Sequence, residues 1–505
     1  MSPSSHGGTT LTSPGIRPYG FKEHVDPYDG PEHMPPPVPP KDDRKCGMKK
    51  RSFFILITCI GIFIVALALG LGLGLGLGLK KDKSVFNSRR YYSRKWLTSC
   101  RSDTKTDPFC RDNPDLCIGG YLNAEYFSTN GAFNGTGIAL AGESWNKGQQ
   151  RIFTLYFQHH SGDIRFMQYT TDRQWIGGTK AQTVASDAKD ASPISAVSFA
   201  INATQYVRLI VMQYELYTNS SKFHIFYIDR NNTVKQLIQT NISDIWQPGP
   251  LSTLNLSAFD SPSTGLQACW KGDFYGDSDF TKFPTFSGLN NTDPFEGTKA
   301  MNIWFAVDDS TFQQYAWYSG QEQDIWVPIQ RWQGFNGHAG VGCYSWGGGT
   351  TQYAMLNNKQ NDVEFWWKDT DKDINSTEAH PINSWQNASM GAIKNVWPTT
   401  SLGFTTYFYA QMADKSIKGY NVTYQAENTT FLEDQTFKVT DPGGVVEALG
   451  GSHLTVTSYE AKEGNRTLWD SLYVFFQTEG NDISAFTRGL NGGEWTKGSL
   501  TIPDE

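Results

Sequence analysis

From about Ile118 onward, apolar and aromatic residues come in runs of a few positions, each broken by Gly, Asn, Asp or Pro. Short runs bounded by turn formers are the pattern of short β-strands, and no stretch of this part keeps an amphipathic helical period. The runs also recur in a fixed succession. One unit holds Ile138-Ala139-Leu140-Ala141, then Leu155-Tyr156-Phe157-Gln158, then Gly162-Asp163-Ile164-Arg165, then Trp175 with Gly177-Gly178. A second has Ile194 to Val197, Ile225-Phe226-Tyr227, Thr233-Val234-Lys235 and Trp246 with Gly249. A third has Leu266 to Trp270, Ile303-Trp304-Phe305, Phe312-Gln313-Gln314 and Trp326. The last has Val474-Phe475-Phe476-Gln477, Asn481-Asp482-Ile483 and Trp495 with Gly498.

The interval from the aromatic pair to the closing Trp is 18, 19, 21 and 19 residues in these four units. Weaker copies start near Val341, closed by Trp385, and near Gly391, with no Trp. Six units of about four strands each predict an all-β fold, a six-bladed β-propeller over residues 118–505. An array of β-sandwiches also uses short strands, but nothing in it would hold the aromatic pair and the Trp at a constant offset.

The pattern before Ile118 is different. Phe53 to Leu79 is a run of 27 residues without a charge. As a helix it would reach roughly 40 Å, beyond the ~30 Å hydrocarbon core of a bilayer, so a transmembrane helix is expected over 53–79. Its second half alternates Leu and Gly, which sets Gly70, Gly74 and Gly78 at small-xxx-small spacing but reads equally as low-complexity filler. Residues 1–52 are rich in Pro, Gly, Ser and charge and are expected to be disordered. Within them Pro36, Pro39 and Lys41 fit a polyproline ligand of the SH3 type, against the alternative of a stiff linker. The Lys45 to Arg51 cluster would favour anionic membrane lipid. Residues 80–117, basic and then dotted with Cys, are expected to form a stalk.

Composition narrows the partners. The 505 residues carry 43 Lys and Arg against 50 Asp and Glu, a net charge of −7, which argues against a nucleic-acid-binding face. Basic residues flank the apolar run on both sides, so charge does not orient it. The N-x-S/T triplets do. Twelve lie beyond the run, at Asn134, Asn202, Asn219, Asn231, Asn241, Asn255, Asn290, Asn375, Asn387, Asn421, Asn428 and Asn465. About five would be expected by chance. The excess points to a signal-anchored, single-pass glycoprotein of the cell surface or secretory pathway, with a cytosolic N-terminus. Cys100, Cys110, Cys117, Cys269 and Cys343 would then meet an oxidising compartment. Five is odd, and spacing leaves their pairing open.

The Ile/Ala-rich strand, the aromatic-aromatic-Gln strand, the Ile-Arg turn and the Trp-x-Gly-Gly close resemble the fungal fucose-specific lectins, the Aleuria-type six-bladed propellers. The resemblance covers about residues 130–500 and excludes the tail and the apolar run. It implies the propeller fold and a carbohydrate-binding role, with glycans or glycoproteins as partners. In that family each site takes an Arg before the aromatic-aromatic-Gln strand, a Glu after the Ile-Arg turn, and the closing Trp of the following blade. Here the Trp is kept at Trp175, Trp246, Trp326 and Trp495, and matched by Trp385. The charged clamp is not kept: Thr154, His224, Asn302, Tyr407 and Tyr473 stand at the Arg position, and Phe166, Gln236, Gln314, Gly419 and Ala485 at the Glu position. Two seams retain neutral hydrogen-bonding pairs, His224 with Gln236 facing Trp326, and Asn302 with Gln314 facing Trp385. Fucose binding is therefore expected to be weak and any glycan site to centre on these two seams. For each closing Trp the competing expectation is plain packing between sheets.

An enzyme is not expected. His159-His160 is adjacent rather than at metal-chelating spacing, and Asp369, Asp371 and Asp373 open like a calcium loop that lacks its Gly and closing Glu. No cofactor or metal motif is present. The alternative to a lectin is a protein-interaction or sensor ectodomain that uses the propeller as scaffold.

Overall fold

The computed structural model describes residues 44–45, 48–49, 107–117, 128–145, 150–170, 173–200, 221–240, 245–271, 300–318, 325–346, 351–371, 374–405, 407–433, 435–463, 466–490 and 492–505. The chain divides into two compact units, Met1–Arg101 and Ser102–Glu505. In the first, Arg44–Lys45 pairs with Met48–Lys49. The SH3-type motif at Pro36, Pro39 and Lys41, the apolar run 53–79 and Cys100 lie outside the described residues. Among the described residues no helix is long and apolar enough to cross a membrane.

The second unit contains six antiparallel sheets of four strands in simple sequence order, the first with an extra short strand. Blade 1 comprises Ile138–Trp145, Gln150–Gln158, Ile164–Tyr169 and Trp175–Gly177, with Thr183–Ala185 added beside the third strand. Blade 2 comprises Ile194–Ala200, Ser221–Ile228, Val234–Thr240 and Gln247–Pro248. Blade 3 comprises Leu266–Lys271, Ala300–Ala306, Thr311–Tyr318 and Trp326–Gln333. Blade 4 comprises Val341–Trp346, Thr351–Asn357, Val363–Asp369 and Gln386–Asn387. Blade 5 comprises Leu402–Phe404, Tyr407–Gln411, Ile417–Thr423 and Thr430–Glu433. Blade 6 comprises Leu454–Glu463, Arg466–Phe476, Ser484–Gly489 and Gly492–Ser499. The first strands of successive blades pack pairwise, and that of blade 6 packs on that of blade 1, so the ring closes. This is the expected six-bladed propeller. The fifth unit, however, starts at Leu402 rather than near Gly391.

Burial follows from the stacking of blades. Every residue of Thr351–Asn357 is buried, because the second strand is covered by a neighbouring blade on each face. Third strands alternate: Val363, Phe365, Trp367 and Asp369 are buried while Glu364, Trp366 and Lys368 are partly open. The turns between second and third strands explain the Asn and Asp signals. Asp229 Oδ1 accepts the Asn231 and Thr233 N–H groups at 2.9 and 2.8 Å. Asn358 Oδ1 does the same for Gln360 and Asp362, at 2.9 and 3.0 Å.

The Gln of the aromatic-aromatic-Gln motif is an inter-blade fastener. Gln158 Nε2 donates to the carbonyls of Gly162, in its own turn, and Lys189, on the approach to blade 2, at 3.0 and 2.9 Å. Gln477 Nε2 donates to Gly480 and to Phe133 before blade 1, both at 3.0 Å, and Gln411 reaches Ala448 and Leu449 before blade 6. A second recurrence is a hydroxyl ahead of the first strand. Thr136, Ser192, Thr400 and Ser452, each two residues before a first strand, accept an N–H at the end of the second strand of the same blade or, in blade 6, one residue past it, at 2.6, 2.9, 2.9 and 2.9 Å.

Residues 107–117 are not a free stalk. Asp107 caps the short helix Pro108–Asp112, Cys110 is bonded to Cys117, and the segment docks on loops that lead into first strands. Asp107 Oδ2 accepts from His338 Nε2 at 2.8 Å and from Ser261 Oγ at 3.1 Å. The Leu116 carbonyl accepts from Thr399 Oγ1 at 2.5 Å and Trp397 Nε1 at 3.4 Å. Burial works against the Asp107 charge, but His338, the Cys110 N–H and Ser261 together hold its pKa below the ordinary 3.8. Asp107, Cys110 and His338 lie at metal-like separations, yet the Cys110 sulfur is committed to the disulfide. A second disulfide, Cys269–Cys343, joins the adjacent first strands of blades 3 and 4 at the wall of the central channel, which holds a cavity of about 130 Å³.

Candidate functional site at the blade seams

The closing Trp of each blade meets the preceding blade edge-on. Trp175 packs on Phe475, Trp246 on Tyr156, Trp326 on Phe226, Trp385 on Trp304 and Trp495 on Tyr409, with centroids 5.8, 6.0, 5.8, 6.2 and 6.4 Å apart and interplanar angles of 89, 87, 82, 76 and 89°. Edge-to-face pairing satisfies the ring quadrupoles, so one contact is repeated at five of the six seams. The seam between blades 4 and 5 lacks the Trp. There Tyr424 stacks on Tyr344 at 4.0 Å, and the Tyr353 hydroxyl accepts the Ala426 N–H at 2.7 Å.

The structure brings His224, Gln236 and Trp326 together, as the sequence pairing requires, but in a closed cluster. The Gln236 amide nitrogen lies 2.8 Å from His224 Nδ1, and Gln236 Oε1 accepts from Trp326 Nε1 at 3.2 Å and the Leu251 N–H at 3.0 Å. These side chains are 2, 1 and 4% exposed. Gly249 allows the close fit, since a Cβ there would lie 2.5 Å from the Gln236 amide. In this structure the three side chains face one another and not solvent, so at this seam the Trp packs between sheets and the expected glycan site does not open here.

The seam of Asn302 and Gln314 is arranged differently from the expectation. Gln314 Nε2 donates to Asn302 Oδ1 at 3.1 Å, and Asn302 Nδ2 to Gln352 Oε1 at 2.9 Å. The indole that reaches Gln314 Oε1, at 3.1 Å, belongs to Trp332 and not to Trp385. Trp332 fills the space between the polar pair and Trp385, lying 5.1 Å from the latter. Thus Trp385 is pushed outward and remains half-buried.

The other clamps are also filled by the chain. Thr154 accepts from Gln168 and sits beside the Phe166–Tyr156 ring pair, near Trp246. Tyr473 packs on Phe153, near Trp175 and Ala485. At the Trp495 seam a Cβ on Gly419 would lie 2.3 Å from the Tyr409 ring, so no Glu fits there. Arg488 lies over Phe437 and Trp495 at 4.5 and 5.4 Å and donates to the Thr436 carbonyl, well away from a clamp role.

What stays open is a cleft of about 560 Å³ on the outer side of the seam between blades 3 and 4. Its walls are Trp332, Phe335, Trp366 and Trp385, and its rim carries Arg331, Glu364, Lys368, Asn383 and Ser384. Trp332 meets Trp366 edge-on at 5.6 Å. Sequence reasoning missed all of these but Trp385. The signal was there: Glu364, Trp366 and Lys368 alternate along one strand, and Trp332 follows Trp326 on an outer strand longer than most.

Among the glycosylation candidates, Asn231, Asn255, Asn375, Asn387, Asn421 and Asn428 are exposed. Asn134 is 6% exposed and faces Gly480, so it has no room for a glycan in the fold. Asn202, Asn219, Asn241, Asn290 and Asn465 lie outside the described residues.

Comparison with solved structures agrees with this architecture. The chain matches the lectin of Aleuria aurantia in complex with alpha-methyl-L-fucoside at 16% identity and a TM-score of 0.52, over 74% of this chain and 98% of that one. A structure of the same fungal lectin described by its six-bladed β-propeller fold and fucose recognition mode matches at 16% identity and a TM-score of 0.50, with the same coverage. The fold is that of the Aleuria-type lectin propellers. No family model and no curated relative matches the chain. The propeller, then, shares the neighbours' fold at a sequence identity too low to carry over their sites, which accords with the five filled clamp positions.

Proposed function

We propose that the chain is a single-pass membrane protein whose propeller binds carbohydrate outside the cell or in the secretory lumen, without catalysis. The observation that carries the reading is the cleft between blades 3 and 4. It joins several aromatic walls to a polar rim on a lectin-type propeller, and a pyranose needs both: a ring face to stack on and oriented hydrogen bonds at its edge. The apolar run 53–79 supplies the anchor. Fucose binding in the manner of an Arg–Glu clamp is not expected. Each charge-assisted hydrogen bond is worth about 1.5–3 kcal/mol, and the clamp positions here are neutral and occupied. The test is a glycan array probed with the detergent-solubilised full chain, followed by titration with free fucose. Selective glycan binding lost in Trp385→Ala supports the reading. An array with no binding, or six-site micromolar fucose binding, overturns it.

A further inference from the structure

The rim chemistry of the cleft is unbalanced. Glu364 is the carboxylate there, and both its oxygens are engaged: Oε2 accepts from Trp366 Nε1 at 3.1 Å and from Asn387 Nδ2 at 3.5 Å, and Oε1 accepts from Asn358 Nδ2 at 2.9 Å. Its work is to hold the Trp366 indole in place. Among the described residues the Arg331 guanidinium makes one hydrogen bond, from Nε to Gln313 Oε1 at 3.2 Å. Lys368 points to the same side as Glu364 and Trp366, is partly buried, and its ammonium has neither ion pair nor hydrogen bond among the described residues. Burial alone lowers its pKa from the ordinary 10.5. A desolvated ammonium without a partner gains by acquiring an anion. The one carboxylate of the lining is therefore engaged, while cationic donors remain available beside the half-buried indoles of Trp366 and Trp385.

We infer that this cleft takes an acidic saccharide, one whose pyranose ring lies against Trp385 and Trp366 and whose carboxylate is received by Lys368. The inference rests on the carbohydrate-binding reading and adds to it the charge of the ligand and the residue that selects it. A volume of about 560 Å³ suits one or two sugar rings. The site is built from the third strand of blade 4 and the outer strand of blade 3. The Arg and Glu positions of the lectin clamp take no part, because Trp332 seals them off. Free ring and free charge are both needed: a neutral sugar leaves Lys368 unpaired, and a small anion leaves the indoles uncovered.

The experiment is calorimetric titration of the full chain in detergent, after enzymatic removal of N-glycans so that one on Asn387 cannot occupy the rim. The probes are glucuronic acid and N-acetylneuraminic acid, with galactose, acetate and the methyl ester of glucuronic acid as controls. One of the two acids should bind, and neither galactose nor acetate should match it. For glucuronic acid, the methyl ester should bind roughly ten- to a hundredfold more weakly than the acid, the loss of one charge-assisted hydrogen bond. Lys368→Met should produce the same drop for whichever acid binds, while Lys368→Arg restores it to within a few-fold. Trp385→Ala should abolish binding of acid and ester alike. A thermal melt unchanged in Lys368→Met shows that the variant is folded. If neutral sugars bind as well as the acids, or if Lys368→Met leaves acid binding unchanged, the acidic-saccharide assignment is overturned while the lectin reading stands. If the array and every probe are silent, both fall.

Discussion

At the scale of single residues, one side-chain type serves two ends at the seams, and burial separates them. Trp326 is 4% exposed, touches Phe226 edge-on and donates to Gln236. Trp385 makes the equivalent ring contact but is half-open, because Trp332 has taken the inner position. Substitution by Ala should divide them. Trp326→Ala leaves a cavity and an unpaired Gln236 and should cost about 3–5 kcal/mol of stability. Trp385→Ala should cost clearly less stability while removing the sugar-stacking wall. Chemical denaturation of both variants checks this, and equal losses would mean that Trp385 is core. The sequence placed both Trp residues correctly in the repeat. It could not say which was buried, since that depended on Trp332, which no repeat rule singled out.

At the scale of elements, the seam between blades 4 and 5 replaces the missing Trp with a polar bridge. His380, in the connection after the third strand of blade 4, lies 2.7 Å from Glu427 Oε2 through Nδ1 and 3.3 Å from Asp369 Oδ2 through Nε2. Its ring also packs on Trp367 at 4.8 Å. Burial disfavours the charged ring, but the hydrogen bonds and charges of Glu427 and Asp369 outweigh it, and the pKa is raised above 6.5. A raised folded-state pKa stabilises the fold fully below the unfolded value, and the stabilisation disappears as pH climbs through the folded value. The melting temperature should therefore decline from about pH 6.5 upward, and His380→Gln should flatten that decline. A wild-type profile flat across this range would show that the bridge does not bear on stability. The element boundaries teach a related lesson. The sequence offers only a weak copy near Gly391, with no closing Trp, and the fifth blade begins later. The hydroxyl two residues before the first strand in four of the six blades, Thr136, Ser192, Thr400 and Ser452, marks its start at Leu402.

At the scale of the whole molecule, the segment 107–117 decides where the chain enters the propeller. It lies on the face where first strands begin, tied by Asp107 to His338 and by Leu116 to Thr399. With Cys110–Cys117 and Cys269–Cys343 formed, Cys100 is the cysteine left over beyond the apolar run. The proposed topology carries its own check. Enzymatic N-deglycosylation of the full chain from a eukaryotic host should lower its mass, with exposed positions such as Asn231, Asn255 and Asn421 modified and Asn134 not. A mass unchanged by the enzyme would overturn the placement of the propeller in the secretory pathway.

The strand runs, the count of six units and the closing Trp offsets are legible in the sequence alone. These are written along the chain, in a period of two and in turn residues with fixed backbone preferences. Tertiary structure alone decided which side chains share a seam. Gln236 and Trp326 are 90 residues apart, and Asp107 and His338 are 231 apart. Their meeting depends on how blades rotate against one another when the ring closes. Trp332 is set within blade 3, where its strand pairs with Thr311–Tyr318 and its indole reaches Gln314, but what it does to Trp385 of blade 4 appears only where the two blades meet.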